Sequence, residues 1–231
     1  MTALPQQSAT LFAAARAACR FGPVHAVREA TCTIRAGQQT ALTGVSGSGK
    51  STLLHLIAGL QAPTSGGISW PDLGGDPRRD HTAVAIIFQA PSLIDALDVR
   101  QNVALPLLLS GSAPDPAARA ADAALRSLGL TQLAARLPVE LSSGQAQRVA
   151  IARALAMAPK LILADEPTGH LDHDTAVQVV ATLRETATAT GAALLIATHD
   201  RDIAAQLPHR WHIDDGNLCT EPGSRTAGDG L

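Results

Sequence analysis

The amino-acid sequence predicts an α/β fold in which helices cover both faces of a mainly parallel sheet. Four short apolar runs are hydrophobic at consecutive positions rather than alternate ones, which is typical of strands buried on both faces. Helical segments such as Lys50–Ala58 and Asp174–Thr190 lie between these runs, so that strands and helices alternate along the chain. The predicted strands are Thr40–Gly44, Ala83–Phe88, Leu161–Ala164 and Ala193–Thr198.

The stretch from residue 98 to residue 159 carries no strand signal and is broken repeatedly by proline and glycine. It predicts a helical subdomain inserted into an α/β core made of residues 1–97 and 160–219. The last residues, Thr220–Leu231, are rich in Gly, Pro and Ser. We expect them to form a disordered tail.

Two apolar stretches resemble targeting or membrane segments but do not qualify. Residues 9–18 lack a preceding basic segment and are interrupted by Arg16, so they predict an opening strand rather than a signal peptide. The run Val103–Leu109 contains Pro106 and falls well short of the ~20 residues that a membrane span needs. We therefore expect a chain that does not cross a bilayer, although it can dock against a protein that does.

Composition narrows the class further. With 231 residues, 46% hydrophobic and 16% charged, the chain can bury a large core and is neither disordered nor a coiled coil. A net charge of −2 and scattered aromatic residues offer no surface for a nucleic-acid backbone, so nucleic acid is not expected as a partner. Cys19, Cys32 and Cys219 are odd in number and lack C-x-x-C spacing. They predict reduced, buried thiols in a cytosolic protein.

The strongest motif is GVSGSGKST, which fits G-x-x-x-x-G-K-[ST] directly after a predicted strand and before a predicted helix. Its glycines let the backbone wrap closely around phosphates, and the helix N-terminus adds positive potential. Lys50 would reach the terminal phosphates and Ser51 would offer an oxygen to Mg²⁺. The alternative, a glycine-rich turn without a ligand, explains neither the lysine nor the context. The predicted nucleotide-binding residues are Gly44, Val45, Ser46, Gly47, Ser48, Gly49, Lys50, Ser51 and Thr52.

Polar residues end three of the other predicted strands. Asp165 and Glu166 close the run LILADEP, and since successive strand residues face opposite ways, one can hold Mg²⁺ while the other deprotonates a water. Gln89 follows AVAIIF, and His199 follows ALLIAT. In a parallel sheet all four side chains reach the same C-terminal edge as GVSGSGKST, the phosphate-binding loop or P-loop. The sequence thus predicts one catalytic site at that edge.

A second candidate anion site is LSSGQ, residues 141–145, which precedes the apolar-periodic run VAIARALA. Ser142, Ser143 and Gly144 would lie at the N-terminus of the following helix, where unpaired N–H groups favour an anion. Taken alone, these residues are better explained by an ordinary serine N-cap.

The motifs together resemble the ATP-binding subunits of ATP-binding cassette (ABC) transporters, and the resemblance covers nearly the whole chain. GVSGSGKST, Gln89, LSSGQ, ILADEP, the turn Gly169–Asp172 and His199 stand in the family's order. The resemblance implies a P-loop NTPase core with an antiparallel β part near the N-terminus. It implies an ATPase that binds ATP and Mg²⁺ and works as a head-to-tail dimer with integral membrane permease subunits, on the cytoplasmic face of the cell membrane.

Residue roles follow from the same resemblance. Glu166 would be the general base, with His199 and Gln89 as further catalytic residues, and Gln89 would also link the site to the membrane subunits. Phe21 stands where the family stacks an aromatic ring, often Tyr, on adenine. Mg²⁺ would be held by Ser51, Gln89 and Asp165. Residues expected to contact the ATP of a partner chain are Ser142, Ser143, Gly144, Gln145 and Asp172.

The family pattern at the second anion site is LSGGQ, and this chain carries Ser143 at the first glycine position. The added side chain predicts a slower ATPase that is still functional, because Ser142 and Gly144 remain. Within the family, ADEPTGHLD and NVALPLLLSG resemble the subgroup for lipoprotein release, macrolide efflux and cell-division signalling. Two alternatives remain open: an ATPase that transmits a signal without moving cargo, and a soluble P-loop kinase, which leaves LSSGQ unexplained.

Overall fold

The computed structural model describes residues 8–79, 82–169 and 171–220. In these ranges a single nine-stranded sheet runs in the order β4-β1-β2-β9-β8-β3-β7-β6-β5. The strands are β1 (Thr10–Phe21), β2 (Val24–Arg35), β3 (Gln39–Thr43), β4 (Ser65–Ser69), β5 (Val84–Ile87), β6 (Leu161–Asp165), β7 (Ala193–Ala197), β8 (His209–Asp214) and β9 (Asn217–Thr220). The helices are α1 (Lys50–Ile57), α2 (Val99–Leu109), α3 (Pro114–Ser127), α4 (Ser143–Ala156), α5 (His173–Thr190) and α6 (Arg201–Ala205).

The sheet has a parallel half and an antiparallel half. β8, β3, β7, β6 and β5 pair in parallel, and four of these strands, β3, β7, β6 and β5, are the ones predicted from apolar runs, with boundaries shifted by a residue or two. β1 pairs antiparallel with both β2 and β4. The predicted α/β fold with an antiparallel part near the N-terminus is confirmed.

Burial on both faces explains why the parallel strands are continuously apolar. Leu161 and Leu163 of β6 pack with α1 and the antiparallel strands on one face. Ile162 and Ala164 pack with helices α2 to α6 on the other face. Because neighbouring strand residues point to opposite faces, every residue of such a strand must be apolar.

Helices α2, α3 and α4 and two short 3-10 turns occupy the stretch that the sequence predicts to be helical. Asp98 begins α2 with a capping box shared with Gln101. Pro106 lies inside the last turns of the same helix. Helix α4 packs against both α2 and the edge strand β5, so it connects this helical region to the sheet.

Two sequence predictions are corrected here. Cys19 and Cys32 are buried, and burial raises the pKa of Cys32 to about 12, but Cys219 is exposed. The prediction of a buried thiol is wrong at Cys219 because β9 is a short strand whose residues are mostly exposed. Thr220, predicted to be in the disordered tail, pairs with Trp211 as the last residue of β9. Residues 221–231 lie outside the described part of the chain.

None of the helices in the described ranges combines the length and apolarity needed to span a membrane.

Candidate functional site

The P-loop connects β3 to α1 and requires glycine at two of its positions. Gly44 has φ 154°, and a Cβ there would collide with the carbonyl oxygen of Ile213 and lie 2.6 Å from Oγ of Ser48. Gly49 has φ 110°, and its Cβ would overlap the carbonyl oxygen of Ala26. Only glycine tolerates both the dihedral angles and the close approach of neighbouring backbone. The loop geometry therefore fixes the spacing of the motif.

Helix α1 begins directly after this loop with an open N-terminus. Gly49 is its N-cap and supplies no side-chain hydrogen bond, and the first turn contains no acidic residue. The first N–H groups of a helix have no partner within it and carry the positive end of the helix dipole. This end of α1 is consequently suited to bind phosphate.

Lys50 is the first residue of α1 and is only 7% exposed. Its Nζ donates to the carbonyl oxygens of Gly44 at 2.9 Å and Val45 at 3.1 Å. The P-loop thus holds the ammonium group over its own backbone, at the position where a phosphate would meet it.

A cleft of about 660 Å³ brings the predicted catalytic residues to the P-loop. Of the predicted residues, those lining it are Val45, Ser46, Gly47, Gly49, Lys50, Ser51, Thr52, Gln89, Asp165, Glu166 and His199. Gly44 and Ser48 are buried behind the loop instead, and the hydroxyl of Ser48 has no hydrogen-bond partner among the residues that the structure describes. The ends of three separate strands therefore converge on one phosphate-binding loop, as expected for a parallel sheet.

Glu166 lies between two basic side chains. Its Oε2 is 2.9 Å from Nδ1 of His199, and its Oε1 is 3.9 Å from Nζ of Lys50. The Glu166 side chain is 13% exposed, whereas that of His199 is 73% exposed. Glu166 follows β6 with φ 47°, and its N–H donates to the carbonyl of Ala197 in β7. This left-handed conformation turns the carboxylate away from the strand direction and into the cleft.

The structure adds residues to the cleft that the sequence did not indicate. Val24, His25 and Ala26 at the start of β2 line it, together with Asp215 in the turn between β8 and β9. Phe21, the residue predicted to stack on adenine, ends β1 and is 51% exposed, but it is not among the residues that line the cleft. Its role stays a prediction. The sequence offers one signal for the added residues Val24–Ala26: they follow closely after Phe21, which is predicted to contact the nucleotide.

LSSGQ lies at the start of α4 and does not line this cleft. Ser142 is the N-cap: its Oγ accepts from the N–H of Gln145 at 3.2 Å, and its own N–H donates to Oε1 of Gln145 at 2.9 Å. Ser143 is the first helical residue and is exposed. A Cβ at Gly144 would lie 3.1 Å from Cδ2 of Leu171, so space at that position is limited. The serine N-cap is present, and the exposed helix end is free to meet another molecule.

Asp172 also begins a helix and is exposed. It is the N-cap of α5, accepting from the N–H of Thr175 at 2.9 Å and from its hydroxyl at 2.7 Å. The backbone hydrogen bond from Thr175, with that of its hydroxyl, lowers the pKa of Asp172 below its ordinary value. Like LSSGQ, it is not part of the P-loop cleft.

The donors available for a cation in the cleft fit Mg²⁺ held jointly with a nucleotide. Ser51, Gln89 and Asp165 all line the cleft and offer oxygen ligands. Within the described ranges no group of three His, Cys, Asp or Glu side chains could hold a metal by itself. Mg²⁺ typically binds through one or two carboxylates plus substrate phosphates and water. One carboxylate beside a phosphate loop satisfies that pattern.

A second cavity, of about 830 Å³, lies between β5 and helices α2 and α4. We call it the α2–α4 groove. Its lining includes Phe88, Pro106, Leu109, Arg153 and Met157. Leu109 is 79% exposed at its rim. An apolar groove with an exposed leucine at its edge is the kind of surface that accepts a partner's helix.

Comparisons with known proteins agree with this geometry. The sequence profile of the family described as "ABC transporter" matches residues 27–169. The chain belongs to this family. It is 42% identical over 204 residues to the lipoprotein-releasing system ATP-binding protein LolD of Anaeromyxobacter dehalogenans, with 85% of each chain covered. It is 45% identical over 196 residues to LolD of Psychrobacter arcticus, covering 80% of this chain and 85% of that one.

Solved structures give the same result. The dimeric post-hydrolysis state of the ATP-binding cassette MJ0796, bound to ADP and Pi, matches with a TM-score of 0.82 and 30% identity, covering 93% of this chain and 99% of that one. Clostridium perfringens cbiO1, part of the ABC transporter complex cbiONQ, matches with a TM-score of 0.81 and 28% identity, covering 93% of this chain and 89% of that one. The chain is therefore an ATP-binding subunit of an ABC transporter and an ATPase.

Proposed function

We propose that two copies of this chain form a head-to-tail dimer that binds ATP between the P-loop of one copy and LSSGQ of the other. The observation that carries the proposal is the separation of the two phosphate-binding elements within one chain. LSSGQ is exposed at the start of α4, away from the cleft that contains Lys50 and Glu166. A second copy would supply the missing side of that cleft. The relative MJ0796 is itself dimeric with ADP and Pi bound.

Within the cleft, the open N-terminus of α1 and Lys50 bind the phosphates of ATP. Ser51, Gln89 and Asp165 would hold Mg²⁺, which would supply positive charge to neutralise the terminal phosphates. Glu166 accepts the proton of the attacking water, since its carboxylate is nearly buried and directed into the cleft. His199 holds that carboxylate through Nδ1, which leaves Nε2 to contact the γ-phosphate.

The partner copy contributes the second side of the site. Ser142, Ser143, Gly144 and Gln145 meet the γ-phosphate at the positive end of α4. Asp172 lies at the seam between the two copies. Phe21 stacks against the adenine ring, for which its exposed phenyl group is suited.

The dimer powers an integral membrane permease from the cytoplasmic face of the cell membrane, and lipoprotein release is the transport activity best supported. The relatives named above carry that function in their names, at 42% and 45% identity. The α2–α4 groove is the docking surface for a cytoplasmic helix of the permease. Its position supports this, because it borders the segment that leads to Gln89. Movement of the permease helix would therefore reach the ATP site directly.

Mixing two inactive variants tests the head-to-tail arrangement. Lys50→Ala removes the P-loop ammonium, and Ser143→Asp places a carboxylate where the partner's γ-phosphate would lie. Each homodimer should hydrolyse almost no ATP. In a 1:1 mixture half of the dimers are mixed and contain one intact composite site, so ATPase activity should return to about a quarter of wild type.

Ser143→Asn is the matched control, because it equals the aspartate in size without the charge. Ser143→Asn should keep most of the activity, because it lacks the negative charge that repels the γ-phosphate. Inactivity of Ser143→Asp would not come from a destabilised helix, since a carboxylate in the first turn stabilises a helix. If the mixture of Lys50→Ala and Ser143→Asp stays inactive although both fold, the two elements do not act in trans and the dimer proposed here is wrong.

Leu109→Glu tests the docking groove. The charge at the groove rim should abolish co-purification of the permease subunits with the chain, while ATP hydrolysis by the purified subunit stays within about twofold of wild type. Leu60→Glu is the control, because Leu60 is 52% exposed and lies outside the groove. Retention of the permease by Leu109→Glu would contradict the docking site. A bound permease that moves no lipoprotein would instead favour the signal-transmitting alternative.

A further inference from the structure

The segment that carries Gln89 has an irregular backbone. We define the Gln89 segment as residues 88–98, the connection between β5 and α2. Within it, Ser92 has φ 46°, in the left-handed region that residues other than glycine seldom adopt. A backbone in such a conformation persists only where its surroundings hold it. The residues that hold this segment therefore determine where Gln89 lies.

Two fully buried side chains from the helical region hold the ends of the segment. Gln147 of α4 donates through Nε2 to the carbonyl of Phe88 at 3.1 Å. Asn102 of α2 donates through Nδ2 to the carbonyls of Leu97 at 2.9 Å and Asp98 at 3.0 Å at the other end, and its Oδ1 also accepts from the N–H of Ile94 at 2.7 Å. Both ends of the segment are thus bound to helices rather than to the sheet from which the chain has just left.

Arg153 of α4 holds the middle of the segment, at the strained residue. Its Nη1 donates to the carbonyl of Ser92 and its Nη2 to the carbonyl of Pro91, each at 2.9 Å. Hydrogen bonds from a charged guanidinium are stronger than those between neutral groups. Burial lowers the pKa of Arg153 from its ordinary value, but a guanidinium stays charged at neutral pH. The guanidinium of Arg153 therefore binds the peptide carbonyl before Ser92 and the one after it.

The same helix carries LSSGQ. Ser142 caps the start of α4, and Arg153 lies near its other end, so that about 15 Å of continuous helix separates them. Arg153 also lines the α2–α4 groove. A single rigid element consequently contacts the Gln89 segment, the proposed permease surface and the half-site offered to a partner copy.

We propose that Arg153 is the positioning residue of the Gln89 segment: its two carbonyl contacts fix the segment to α4, so that Gln89 and the LSSGQ half-site of one chain move as one body. The inference rests on the ATP-sandwich dimer proposed above. In that dimer, Gln89 belongs to the chain's own ATP site and LSSGQ belongs to its partner's. Through α4, Arg153 would couple the position of Gln89 in the chain's own ATP site to the position of LSSGQ in the partner's ATP site.

Steady-state ATP hydrolysis by the purified full-length chain, with Mg²⁺ and ATP, tests this role in Arg153→Gln and Arg153→Lys. We expect kcat of Arg153→Gln to fall at least about tenfold because Gln89 is displaced. KM for ATP should change by less than about threefold, since the P-loop itself is untouched. Arg153→Lys, which keeps the charge and can reach one carbonyl, should recover part of kcat. The control Arg126→Gln changes an exposed α3 residue whose side chain makes no hydrogen bond within the described ranges, and it should behave as wild type.

Hydrogen–deuterium exchange on the same nucleotide-free proteins supplies the second measurement. In Arg153→Gln, the rate of deuterium exchange in peptides covering residues 89–98 should rise about tenfold, because losing hydrogen bonds to a charged group lowers the local stability by that factor. Exchange in peptides of α1 and β3 should stay unchanged. Unchanged kcat, equal changes in kcat and KM, or faster exchange throughout the chain would each overturn the proposal. Absence of hydrolysis by the wild-type chain would instead count against the proposed function.

Discussion

The P-loop and LSSGQ both place serine and glycine at a helix N-terminus, yet their environments differ. Helix α1 starts at Gly49 without a side-chain cap and faces a cleft that contains Lys50, Asp165 and Glu166. Helix α4 starts with a reciprocal cap between Ser142 and Gln145 and lies outside that cleft. One helix end is left open for a ligand within the chain, whereas the other satisfies its own groups.

This difference explains how the LSSGQ helix end can be stable without a ligand or a partner chain. The open end of α1 lies in an environment suited to a ligand, where the loop carbonyls of Gly44 and Val45 hold the ammonium group of Lys50. A half-site exposed to water needs no such environment, because its cap and the solvent satisfy its amides. In the proposed dimer, Ser142 would exchange its capping hydrogen bond with Gln145 for a contact with the partner's phosphate.

The largest expected effect is on the chemistry of the P-loop cleft. Glu166→Gln keeps the size of the side chain but removes the basic oxygen, so turnover of ATP should fall by about 10²–10⁴-fold. Binding of ATP should remain, because the amide leaves Lys50 and the open end of α1 intact. Hydrolysis rates and nucleotide affinity measured on the same preparation separate the two effects. Turnover near wild type would remove Glu166 from the role of general base.

A smaller effect is expected from a methyl group in the P-loop. Gly49→Ala would collide with the carbonyl of Ala26 and force a positive φ on alanine. This strain should distort the phosphate-binding loop and weaken ATP binding by at least about tenfold. Gly37→Ala is the control, because it also has positive φ, with no atom within 4 Å of its Cβ, and lies outside the cleft. Equal ATP affinity in Gly49→Ala and wild type would show that the close packing of the loop is not needed.

The smallest effect is expected at the corresponding position of LSSGQ. Ser143 is exposed and makes no hydrogen bond through its side chain in the described part of the chain, so Ser143→Gly should change ATP turnover by less than about threefold. A large gain would identify Ser143 as an intrinsic brake on hydrolysis. Together with Gly49→Ala, this variant shows whether the two helix ends differ in tolerance as much as they differ in packing.

The sequence predicted the cleft well because its chemistry is local. Lys50, Asp165 and His199 each stand at a fixed distance from the end of an apolar strand, and parallel pairing brings strand ends together without further information. The same reasoning overlooked β2, although its buried residues Ala30, Cys32 and Ile34 show the alternation expected of a strand with one buried face.

Other features depend on pairing partners that lie far along the chain. β4 has the sequence SGGIS, which is poor in strand-forming residues, and it exists because it pairs with β1 beside an irregularity near Arg16. Contacts between Arg153 and the carbonyls of Pro91 and Ser92 join residues about sixty positions apart. No local pattern indicates them, since any arginine on an amphipathic helix has the same sequence signature.

The bonds of Lys50 to its own loop have a practical consequence for spectroscopy. Lys50 and Lys160 are the only two lysines of the chain, and the first is buried while the second is exposed. Isotope-labelled lysine would therefore give only two ammonium signals in an NMR spectrum. When a nucleotide replaces the carbonyls of Gly44 and Val45, the Lys50 signal should shift and that of Lys160 should not. The chain thus contains its own reporter of site occupancy, readable without an attached dye.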